Sequence, residues 1–275
     1  MSQTAPATPP DGTVDTEALL RPVRRPRWQE SVIAVAVVAA LVWGAVGAEL
    51  SPSNFVRSFP YIVGFLARMW PPSWGILPEL IQPALETIQI AIIGTALGFV
   101  LSLLVSFLAA ANTSPSRGVY QIVRLLLNVM RAVPELVWAL FFVAALGLGP
   151  FPGALALGFA AVGTFGKLFA ESVESIDPGP LEGLTAVGAR GTQVIAYGVV
   201  PQALPMIASY GLLMWEGNIR HATILGMVGA GGIGFELTTQ MRLFQYRDLS
   251  MTILVVVILV TVLDRLSALV RSRII

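Results

Sequence analysis

The chain has 275 residues, 55% hydrophobic and only 12% charged, with a formal net charge of +1. Soluble domains carry roughly a quarter charged residues, so this composition excludes an ordinary water-soluble enzyme and offers no basic footprint for nucleic acid. With no Cys, disulfide staples and Cys-based metal sites are excluded too, and one His leaves little material for a His-ligated centre; no metal and no resident cofactor are expected.

Residues 1–30 read as a disordered cytoplasmic tail, polar and Pro-rich, with a basic cluster at Arg21, Arg24, Arg25 and Arg27. The tail lacks an apolar core, so it is not a cleavable signal peptide. A membrane-spanning helix needs about 20 mainly apolar residues. The uncharged run 31–48, between Glu30 and Glu49, supplies the first span, within 31–50. Residues 51–80 are rich in Pro, Trp and Arg and read as an external (periplasmic or extracellular) connection. A short interfacial helix fits there, because Trp and Tyr favour the headgroup zone.

The core domain is expected over 81–275. Its spans are 87–116, 119–146 (carrying Arg124 and Arg131), 154–172, 204–225 and 249–263 with its flanks. A tight turn at 147–153 joins two of them, and the polar stretch 173–202 separates the fourth from the fifth. The fold class is therefore an all-α polytopic membrane protein with about six transmembrane helices. Six spans put both termini on one side. Arg21, Arg24, Arg25, Arg27, Arg117, Arg190, Arg265, Arg271 and Arg273 then share that side, against Arg57, Arg68, Arg242 and Arg247 on the other. Cytoplasmic loops carry the basic excess, so the termini and 173–202 are expected in the cytoplasm.

Within that loop, Glu182 to about residue 196 has helix-compatible spacing, and Pro201 interrupts the chain before the fifth span. The small residues Gly183, Ala186, Gly188 and Ala189 leave a surface that a partner's backbone can approach closely. A solvated connection is the plain alternative, but a 30-residue ordered loop in a chain with little other extramembrane mass favours docking. Here the sequence resembles the binding-protein-dependent ABC permeases. Their signature loop runs Glu-Ala-Ala, three residues, Gly, nine residues, Ile, any residue, Leu-Pro. This chain keeps Glu182, Gly188 and Pro201 in register, with Ala189 after the glycine. It departs at Gly183 and Leu184 (both Ala in the pattern), at Gly198 (Ile) and at Val200 (Leu).

The stretches Arg131–Trp138, Gly147–Gly153, Pro201–Pro205 and above all Asn218–Gly234 are similar to the phosphonate importer permeases. The resemblance implies a type I ABC importer permease fold and a bacterial inner-membrane location. It also implies a homodimer with a second copy, two ATP-binding subunits docked at the coupling loop, and an external phosphonate-binding protein. ATP and Mg²⁺ would be bound in the partner, since no Gly-Lys-Ser/Thr occurs here. Methionine or other amino-acid importer permeases are the nearest alternative.

An ionisable residue inside the membrane usually faces the bundle interior or a wet path. Arg124, Asn128, Arg131 and Glu135 fall on one stripe of the third span, and Glu216 and Arg220 stand four apart on the fifth. Arg131, Glu135, Glu216, Asn218, Arg220 and His221 are therefore candidate lining residues of a translocation path. The pairs Arg131–Glu135 and Glu216–Arg220 equally suit ion pairs that only hold the bundle together. Lys167, Glu171 and Glu174 read as a snorkelling, solvated helix end.

Gly229, Gly231, Gly232 and Gly234 match the G-x-G-x-x-G spacing, but an apolar helix precedes them and no βαβ context exists. They read instead as a break or re-entrant turn, with close helix packing and amides that an anion can meet in passing. Gly94 and Gly98 form a small-xxx-small face on the second span. An ATP-independent secondary transporter or channel would need an inverted repeat, which is not visible. A membrane-embedded enzyme lacks a nucleophile or metal constellation.

Overall fold

The computed structural model describes residues 27–274, and every regular element among them is helical. The chain divides into two units, one ending at Gly64 and one from Phe65 onward. The predicted tail up to residue 26 lies outside the described residues.

The first unit holds α1 (Arg27–Gly47) and most of α2 (Pro52–Met69). The apolar part of α1, Ser31–Gly47, is shorter than a spanning helix needs. Helix α2 occupies the segment 51–80 in which a short interfacial helix is expected. At 3.6 residues per turn, Phe55, Phe59, Ile62 and Leu66 fall on one side, opposite Arg57 and Arg68.

The second unit begins with a short 3₁₀ turn, Trp74–Ile76, that leads into α3 (Leu77–Ala109). It continues with α4 (Arg117–Ala132), α5 (Glu135–Leu146), α6 (Pro150–Glu174), α7 (Pro178–Ala186) and α8 (Gly191–Val194). A π-helical turn, Ile195–Val199, opens into α9 (Val200–Gly226). Helices α10 (Ile233–Arg242) and α11 (Tyr246–Ile274) close the chain.

Among the described residues, four helical stretches are long and apolar enough to cross a membrane: Trp74–Ala109, Pro150–Glu174, Gly191–Gly226 and Tyr246–Leu269. A fifth arises if α4 and α5 count as one span. The expected single helix over 119–146 is broken there, and its halves meet at 89°. The cause is local. Pro134 has no amide hydrogen and pushes Val133 out of the helical region, to φ −86°, ψ 119°.

Helix α6 is the centrepost. It packs against α3, α4, α5 and α9, and most of it is buried. Its small side chains make this possible. A Cβ added at Gly94 of α3 would lie 2.7 Å from the Leu157 Cβ, and one at Gly98 2.8 Å from the Ala161 Cβ. The small face predicted on the second span is thus the α3–α6 contact. Two apolar clusters flank α6. One gathers Leu127, Phe169, Val173, Ile207 and Met214; the other gathers Ile90, Leu157, Ile219 and Leu225.

Candidate functional site

The loop predicted to couple to a partner folds as a compact helical element at the paired ends of α6 and α9. Asp177 caps α7, its side chain accepting from the Gly179 amide at 2.9 Å, and Pro178 occupies the first turn without an amide to satisfy. The helix ends at Gly188, whose φ of +85° is the left-handed conformation that terminates helices and favours glycine. The Gly188 amide donates to the Thr185 carbonyl and the Ala189 amide to the Leu184 carbonyl, which closes the last turn. Gln193 then caps α8, accepting from the Arg190 amide at 2.7 Å.

Glu182, Gly183, Ala186, Val187 and Gly188 are exposed, and a Cβ at either Gly183 or Gly188 would meet nothing within 4 Å. Half-buried Leu181 and Leu184 turn inward instead. A Cβ at Gly198 on the π-helical turn would lie 3.1 Å from Leu184 Cδ1 and 3.3 Å from Leu181 Cδ1. This explains two of the departures from the family pattern at once. The larger Leu184 occupies the space that a larger residue at 198 would need.

Two clasps tie this element to the bundle. The Asp177 amide donates to Gln202 Oε1 at 3.1 Å, and Gln202 Nε2 donates to the carbonyls of Asp177 and Gly198. One turn away, Arg124 Nη2 meets Glu174 Oε2 at 2.8 Å and its Nε donates to the Ala109 carbonyl. Glu174 Oε1 accepts from the Ala111 amide at 2.7 Å, and Asn112 donates to the Val173 carbonyl. The end of α6 is therefore not the freely solvated terminus expected from Lys167, Glu171 and Glu174. Glu174 is an inward-held link between α4 and the α3–α4 turn.

The charges inside the spanning segments pair differently from the sequence expectation. Arg131 and Glu135 stand on opposite sides of the Pro134 break, so they do not share a helix face. Glu135 Oε2 instead meets His221 Nδ1 at 2.8 Å. Glu216 and Arg220 turn to α11 rather than to each other: Glu216 pairs with Arg271, and Arg220 with Asp264 at 3.1 Å. Asn218 donates to Thr95 Oγ1 at 2.9 Å, joining α9 to α3. Sequence reasoning missed Asp264, Arg271 and Thr95. Asp264 was the one acid near the end of the sixth apolar run, a visible signal.

The Gly-rich segment forms the break expected between α9 and α10, with φ of +93°, +80° and +73° at Gly229, Gly231 and Gly232. At Gly232 no other residue fits, since a Cβ would lie 2.5 Å from Thr87 Oγ1. The amides at the start of α10 are not free for a passing anion. Glu86 Oε2 accepts from the Gly232 amide at 3.0 Å and Thr87 Oγ1 from the Ile233 amide at 2.8 Å. Gly229 accepts from the Gly149 amide, so the two glycine turns, 147–149 and 226–232, lock together. Gly234 packs against the Thr223 carbonyl of α9.

Residues 102–275 match the family model described as the inner membrane component of binding-protein-dependent transport systems. The chain is 40% identical over 249 residues to the phosphite transport system permease protein PtxC of Stutzerimonas stutzeri, covering 90% of each. It is 37% identical over 263 residues to the phosphate-import permease protein PhnE of Mycolicibacterium smegmatis, covering 94% of this chain and 49% of that one. The fold matches that of the inward-facing MetNI methionine ABC transporter with a TM-score of 0.64 at 20% identity, over 74% of this chain and 99% of that chain. The fold is thus that of the type I ABC importer permeases. This chain belongs to the family of inner-membrane components of binding-protein-dependent transport systems, as a multi-pass membrane permease.

Proposed function

We propose that the chain is the permease subunit of an ATP-driven importer that carries phosphonates or the related phosphorus oxyanions phosphite and phosphate by alternating access. The observation that carries the reading is its similarity, along nine-tenths of its length, to a permease named for phosphite. The exposed face of Glu182, Gly183 and Gly188, with Ala189 and Pro201 completing the register, would dock in a groove of a separate ATP-binding subunit. ATP and Mg²⁺ would be bound there, with no cofactor in this chain. An external binding protein would deliver the anion.

The permease unit would be a pair, formed by a second copy of this chain. The length of the mycobacterial relative, of which this chain covers 49%, suits two such units in one polypeptide. Both termini would lie in the cytoplasm, on the side of the coupling element. The pairs Glu135–His221, Glu216–Arg271 and Arg220–Asp264, with Asn218, would border the path and hold α5, α9 and α11 in register as it opens.

The test is reconstitution with the cognate ATP-binding subunit and binding protein in proteoliposomes. Uptake of phosphite, methylphosphonate or phosphate, dependent on ATP, is the expected result. Uptake of methionine alone, or uptake of a phosphorus oxyanion without ATP, would overturn it.

A further inference from the structure

We infer that Arg131 and Lys167 together form a binding site for the transported phosphorus oxyanion inside the permease, an inference that rests on the cargo proposed above. The two cations flank one helix crossing. A Cβ added at Gly163 would lie 2.6 Å from the Arg131 amide nitrogen, so α4 ends directly over Gly163. Gly163 stands next to the central residue of the 25 in α6, one of the helices long and apolar enough to span. Lys167 follows Gly163 by one turn, and Asn128 precedes Arg131 by one turn. The Lys167 Nζ donates to Asn128 Oδ1 at 3.4 Å, which closes the square.

Their electrostatic situation differs from that of the cations bound to carboxylates. Arg124, Arg220, His221 and Arg271 each have a carboxylate partner. Among the described residues, neither Arg131 nor Lys167 has a carboxylate within 4.0 Å. Two unneutralised cations within a spanning segment are costly unless they face water or an anion that arrives there. Arg131 is exposed and Lys167 half-buried, so the site is open on one side.

The orientation of α4 argues against lipid headgroups as the anion. Ile122, Leu125, Leu126 and Val129 form its exposed apolar face. Arg131 and Asn128 sit on the opposite stripe, with Arg124. The chemistry suits a tetrahedral oxyanion: a guanidinium grips two oxygens side by side, and an ammonium takes a third as a point charge. With only two cations and one open side, the anion is held weakly enough to leave, as conduction requires.

The test uses the complete transporter in proteoliposomes, and reads both the uptake of labelled phosphite, methylphosphonate and phosphate and the ATP hydrolysed. Arg131→Gln and Lys167→Gln should each lower uptake per ATP about tenfold, the loss of one charged hydrogen bond. Arg131→Lys and Lys167→Arg should recover most of it, with subunit assembly intact in all four. Gln variants that keep the wild-type ratio of uptake to hydrolysis overturn the site, including the case in which they lose only bound phospholipid. Loss of assembly in the Gln variants that the conservative variants also show would overturn it in favour of a packing role. A wild-type complex that takes up none of the three anions defeats the cargo reading itself, before any variant is made.

Discussion

Single side chains explain why the coupling element holds its register although half of its signature is altered. The Leu184–Gly198 contact is a reciprocal exchange of volume: a leucine replaces a small residue on α7 and a glycine replaces a large one on the π-helical turn. With a Cβ at position 198 already 3.1 Å from Leu184, Gly198→Ile should push α7 off its seat at a cost of about 1–3 kcal/mol. Leu184→Ala alone should leave a gap and cost less, because half-buried Leu184 has room to be replaced by solvent. The double variant Leu184→Ala/Gly198→Ile should recover most of the loss. A double-mutant cycle on co-purification of the ATP-binding subunit measures this. Additive losses in the double variant would show that the two residues do not share one space.

Gly188 was readable from sequence only through its register in the family pattern; the helix-compatible spacing ran on from Glu182 to about residue 196, and the structure stops the helix at this glycine instead. A helix stop that needs φ of +85° leaves glycine as its only comfortable occupant. The Glu216–Arg271 and Arg220–Asp264 pairs were not readable. Spacing within one helix proposes a partner four residues away, whereas the real partner came from α11, in a direction that only the packing of α9 against α11 sets.

At the scale of the elements, the apolar runs located every long helix of the second unit, but not where one of them bends. Pro134 was in view within the run 119–146, yet prolines also sit inside α3 and α9 without breaking them, at Pro83 and Pro205. What differs is the company. Past Pro134, α5 sets out at 89° to α4, with His221 of α9 beside its first residue. The bend places α5 so that Glu135 reaches it.

The same polar stripe provides the clasp at the foot of α6. Arg124 and Glu174 retain 18% and 28% of their side-chain exposure, so their bond is partly shielded from water. Arg124→Ala strands the Glu174 carboxylate and also frees the Ala109 carbonyl, a loss of about 2 kcal/mol. The melting temperature of the detergent-solubilised chain should fall accordingly, and the exchanged pair Arg124→Glu/Glu174→Arg should recover part of it. The clasp stands only three residues before Asp177, where the coupling element begins. Its loss should therefore also lower uptake relative to ATP hydrolysis in the assembled transporter. An unchanged ratio would mean that the clasp stabilises α6 without transmitting motion.

Across the second unit as a whole, the direction of each helix follows from two connected ends. The α3–α4 turn, the coupling element and the end of α11 gather Arg117, Arg190, Arg265 and Arg271, while Arg242 and Arg247 sit at the α10–α11 connection. Basic residues accumulate on the cytoplasmic side of a membrane, so the coupling element should face the cytoplasm and the α10–α11 connection the outside. The chain contains no Cys, which allows this to be read directly from single introduced thiols. Val187, 81% exposed at the end of α7, and Phe244, 73% exposed between α10 and α11, are suitable positions. Both side chains are mostly exposed, and Phe244 gives up only an edge contact with the Tyr246 ring, so replacement should leave the bundle undisturbed. In intact cells a membrane-impermeant maleimide should label Phe244→Cys and spare Val187→Cys. After permeabilisation both should react. If both are labelled from outside, the count of spans between them is wrong, because the single crossing by α9 puts them on opposite sides. If Val187→Cys alone is labelled, the bundle is inverted, and the coupling element could not meet an ATP-binding subunit in the cytoplasm.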